Sequence, residues 1–123
     1  MDRGQYAEAL VENAKTYRTG ELQSLLSTHG GKRITEQVVR DLLQPYVTAT
    51  LPRLDTPAQE KLTSCFERFA PKAMERVRAD SHMNNADQTN TVTEANTDAM
   101  LVALVNEACM PLDLALYTSD LQT

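Results

Sequence analysis

Between Asp98 and Met110 the chain carries Met100, Leu101, Val102, Leu104, Val105, Ala108 and Cys109, a spacing that wraps more than half of a helix in apolar side chains. Such a helix runs about three and a half turns, marginal on its own in water. It therefore demands a groove, whether from the rest of the chain or from another molecule. Thr97 is placed to cap this helix and Pro111 to end it. Leu112, Leu114, Leu116 and Tyr117 follow, in a pattern that suits a short helix and also permits an extended strand. The groove has to be mainly aliphatic, because the chain has no Trp, 2 Phe and 4 Tyr.

Charge divides the chain just ahead of that helix. All 12 basic residues lie between Arg3 and Arg78, where they nearly balance the acids, whereas residues 81–123 hold six acids and no Lys or Arg. The change falls on Ser81-His82-Met83, which reads as a cloning junction of protease-site and start-codon residues, with Met83-Asn84-Asn85 as a fresh N-terminus. Residues 81–97 are polar, dominated by Asn and Thr with Asp, Gln and Ser among them, and Val92 is their only large aliphatic residue. A stretch of that composition buries too little to offset its ordering entropy, and it reads as a flexible linker. Three parts are expected: a helical domain over 1–80, a linker over 81–97 and an acidic, apolar binding segment over 98–123.

The first part reads as all-α, an antiparallel bundle of about four helical segments with no sheet. Tyr6, Leu10, Ala14 and Tyr17 mark a helix over 5–18, and Leu22, Leu25 and Leu26 a short one over 21–27 that ends at Gly30-Gly31. Thr35 caps a third, whose apolar face is Val38, Val39, Leu42, Leu43, Tyr46 and Val47, with a kink expected at Pro45. Thr56-Pro57-Ala58-Gln59 combines a capping box with an early helical proline and starts a fourth, with the stripe Leu62, Cys65, Phe66, Phe69, Ala73 and Val77 interrupted at Pro71. Leu10, Leu25, Leu26, Val38, Leu42, Leu43, Leu62, Phe66, Phe69 and Val77 are the expected core.

Catalysis finds no foothold. His29 precedes the glycine cap and His82 sits at the junction, neither within a metal-ligand cluster. No nucleophile elbow, phosphate-binding glycine loop or dinucleotide fingerprint occurs. Cys65 and Cys109 fall on apolar stripes and read as small buried hydrophobes, and unpaired thiols point to the cytoplasm. The longest apolar run, Ala99–Val105, falls far short of the ~18–20 residues of a membrane span. The polar N-terminus does not read as a signal peptide. No enzyme, cofactor, metal or membrane association is expected.

The reading that remains is a docking or adaptor module for another protein, present as a fusion of a helical domain with the helix it binds. Met100, Leu101, Leu104, Val105, Ala108, Leu112 and Leu116 are the expected anchors on the helix side. Val38, Leu42, Leu43, Leu62, Phe66 and Phe69 are the expected groove, between the third and fourth helices. Arg33, Arg40, Arg68 and Arg76 are expected to steer Asp98, Glu107 and Asp113. A second copy of the chain is the other protein partner left open. The rival is a small regulatory DNA-binding protein, with residues 21–44 as a helix-turn-helix and Lys32, Arg33 and Arg40 on phosphates. Glu36 and Asp41 interrupt any basic stripe there and the net charge is −5, so nucleic acid is the weaker expectation.

Overall fold

The computed structural model describes residues 1–79 and 89–109, so Ser81-His82-Met83, Met110, Leu112, Asp113 and Leu116 lie outside the described residues. The fold is all-α, and no strand occurs among the described residues. Helices run over Arg3–Thr19 (α1), Glu21–His29 (α2), Glu36–Thr50 (α3), Thr56–Phe69 (α4), Ala73–Ala79 (α5) and Glu94–Cys109 (α6), with 3-10 turns at Leu51–Arg53 and Ala70–Lys72.

Each boundary has a local cause. Asp2 caps α1 by accepting from Gln5 N at 2.8 Å while its own N–H donates to Gln5 Oε1 at 3.0 Å, a reciprocal box that extends the helix two residues ahead of the expected start. Thr35 caps α3 as expected, its hydroxyl accepting from Val38 N. Helix α3 continues through Pro45, which lies inside it rather than starting a new element. The cap of α4 is Asp55, which accepts from Ala58 N at 3.1 Å, rather than Thr56; Gln59 turns back to the carbonyls of Leu51 and Leu54 instead of closing a box. Pro71 interrupts the fourth stripe with a 3-10 turn, as expected of a residue that cannot donate to the preceding turn, and the stripe resumes on α5 with Ala73 and Val77 buried.

Three tyrosines bolt the helices together. Tyr17 Oη donates to Leu42 O at 2.7 Å and Tyr46 Oη to Leu10 O at 2.8 Å, pairs that run α1 and α3 in opposite directions. The two rings meet edge to face, their centroids 6.3 Å apart. Tyr6 Oη donates to Ala108 O at 3.0 Å, joining the start of α1 to the end of α6. Burial pushes all three phenols well above their ordinary range, so they stay protonated and donating.

One contiguous core runs through all of this. Of the expected core, Leu10, Leu42, Leu43, Leu62, Phe66, Phe69 and Val77 are buried, while Leu25, Leu26 and Val38 are only partly so. Helix α2 buries Leu22 alone, since it packs on α1 at the edge of the fold.

Candidate functional site

The cradle of α6 is the candidate site. It needs four parts: an apolar floor, an end at Arg18, an end at Arg76, and a shelf formed by the loop between α2 and α3. Helix α6 starts at Glu94, four residues before the expected start. Its cap is Thr93, whose hydroxyl accepts from Asn96 N at 3.1 Å, while Thr97 N donates to Thr93 O at 2.9 Å. Thr97, expected as the cap, is instead fully buried within the first turn. The sequence pattern favoured Thr97; Thr93 caps instead, because the helix begins one turn earlier and carries Asn96 and Thr97 into the buried first turn.

The floor is formed by α1, α4 and α5, with α2 at one margin. The groove expected between the third and fourth helices is therefore displaced, because the apolar face of α3 is covered by α1 and by the Ala70–Lys72 turn. Among the expected anchors, Met100, Leu101, Leu104 and Val105 are each 0% exposed and Ala108 is 1% exposed. Leu42, Leu43, Leu62, Phe66 and Phe69 belong to the same continuous core, with Val38 at its edge. Burial extends to Ala99, Val102 and Ala103, so α6 is covered on nearly every side. Met1 is the one large hydrophobic residue exposed among the described residues.

The helix ends are read by charge. Arg18 grips Asp98 in a fork, Nε to Oδ1 at 2.5 Å and one terminal nitrogen to Oδ2 at 2.9 Å, with both side chains largely shielded from water. Arg76 meets Glu107 at 3.1 Å at the other end. The pair Arg76–Glu107 joins two residues expected to steer one another; Arg18 was not anticipated. Nothing in the sequence singles Arg18 out, since only the antiparallel run of α1 beside α6 sets it opposite Asp98. Arg40 is engaged elsewhere: it bridges Glu36 and Glu67 at 3.1 and 3.0 Å and lies 5.9 Å over the Phe66 ring. Arg68 is exposed on α4.

Lys32 and Arg33 lie in the shelf, exposed. Their backbone is occupied by the chain leading into α6: Gly31 N donates to Val92 O at 2.9 Å, Val92 N to Lys32 O at 2.8 Å and Ile34 N to Asn90 O at 2.7 Å. Gly31 holds φ of 81°, a left-handed turn that strains any residue with a side chain. Residues 90–97 are thus structured, where a linker was expected. Arg78 closes the same corner, donating to Asn90 Oδ1 at 2.6 Å.

Cys65 on α4 and Cys109 on α6 are both free and buried. Burial raises each thiol to about 11, which suppresses the thiolate. Among the described residues no cluster of His, Cys, Asp and Glu is arranged to hold a metal, and no helix is long and apolar enough to cross a membrane.

Comparison with protein-family models, with curated proteins and with solved structures finds no match to this chain.

Proposed function

We propose that this chain is a non-catalytic protein-interaction module, a helical bundle over residues 1–80 joined through a linker to the acidic, apolar helix it receives in its groove. Working as a docking or adaptor unit in the cytoplasm, it recognises a partner by aliphatic anchors in an apolar cradle and by arginines at the two ends. The observation that carries this reading is the fit of α6. A helix from the acidic part of the chain, with no basic residue of its own, is enclosed by three helices of the near-neutral part and meets an arginine at each end. Joining the two raises their effective concentration to roughly mM, so even a weak complex stays assembled. For the rival nucleic-acid reading, Arg40 is already neutralised by two glutamates and the Lys32–Ile34 backbone is paired.

Thermal unfolding of isolated residues 1–80, with calorimetric titration of a peptide spanning 83–123, tests it. A cooperative transition and saturable binding are expected. A fragment that aggregates, or melts without cooperativity, would make α6 an integral part of one domain and end the reading.

A further inference from the structure

The interior of α6 carries little directional information. Its apolar residues surround the helix, so the hydrophobic pattern alone does not single out one face or one direction. The charged ends do not resolve this. Asp98 and Glu107 lie near opposite ends and each meets an arginine, so a reversed helix exchanges one acid for the other. Tyr6 reads one end, donating to the Ala108 carbonyl at the close of α6; at the other end polarity and register have to come from the segment ahead of the helix.

Resting on the interaction reading above, we propose that the element recognised in the partner is bipartite: an extended lead-in laid edge to edge along Gly31–Ile34, followed by the helix, with the lead-in setting the helix's direction and register. The three main-chain hydrogen bonds between Gly31–Ile34 and Asn90–Val92 are blind to sequence but not to direction. Val92 supplies the sequence-specific part, since it is 2% exposed and belongs to the core. Asn96 then ties the lead-in to the helix: its side-chain amide donates to Thr89 O at 3.1 Å and Thr91 O at 3.0 Å. Through this the angle between the two parts is set before the apolar face docks. The partner is accordingly a protein segment carrying Val-Thr-x-x-Asn-x-Asp across the start of an apolar helix, in which only the helix would be recognised from hydrophobic periodicity.

The test uses the intact folded chain with a protease site placed in residues 84–88 and cut after folding, so that the fragment from Thr89 onward is held without a covalent link. Release of that fragment after dilution is followed by native mass spectrometry for the parent, for Val92→Ser and for Asn96→Ala. A third form carries the cut between Thr93 and Glu94, which detaches the lead-in from the helix. The expected result is retention in the parent and at least tenfold faster release in all three altered forms. Retention in the parent with unchanged release in the altered forms overturns the lead-in and leaves the interaction reading standing. A parent that falls apart or aggregates on cutting overturns both.

Discussion

Leu104→Ala tests whether α6 is as deeply seated as its burial implies. Leu104 is 0% exposed. The substitution deletes three carbons, worth about 0.8 kcal/mol each in transfer out of water, or about 2.4 kcal/mol. Helix α6 is held by Tyr6 at the Ala108 carbonyl and by Arg18 at the Asp98 carboxylate, so the surroundings close only partly over the gap and a cavity term adds about 1–2 kcal/mol. The expected loss is about 3–4 kcal/mol for the whole chain, a fall in Tm of roughly 10–15 °C for a domain of this size. Leu25→Ala is the internal standard. Leu25 is only partly buried on the outer helix α2, so the same chemical deletion should cost about 1 kcal/mol or less. Urea unfolding of both variants, read by helical circular dichroism, gives the comparison. If the two losses agree to within about 0.5 kcal/mol, Leu104 does not occupy a closed core and the enclosure of α6 is refuted.

Cys65 and Cys109 should resist an aromatic disulfide reagent at neutral pH in the folded chain and both react in denaturant, since burial raises their thiols to about 11; rapid reaction of either in the native state would contradict that. Arg40 hydrogen-bonds Glu67 and so holds its carboxyl below the ordinary value, as Arg53 does for Glu12. A depressed folded-state pKa gives stability that is present above the ordinary carboxylate value and lost as pH falls through the lowered one. The urea midpoint should therefore decline on acidification from about pH 5 to pH 3, and less so in Arg40→Gln; an identical decline in that variant would show the Glu67 contact to be without effect.

Much of the secondary structure is local and could be read residue by residue. Apolar periodicity marked the α1, α3 and α4 stripes, Thr35 announced its helix, and Pro71 stopped another, because each acts over one or two turns of its own backbone. The need of the last helix for a groove was equally plain, since Met100, Leu101, Leu104 and Val105 cannot face water together. Which groove was not: α3 and α4 have the widest apolar stripes, but α1 covers α3 through Tyr17 and Tyr46, and α6 packs on α1, α4 and α5. Arg18 opposite Asp98 and Val92 beside Lys32 are contacts between residues tens of positions apart, which no local pattern encodes. Periodicity depends on near neighbours and is written in the chain; pairing across the fold depends on how all the apolar surfaces can be covered at once, and only tertiary packing decides that.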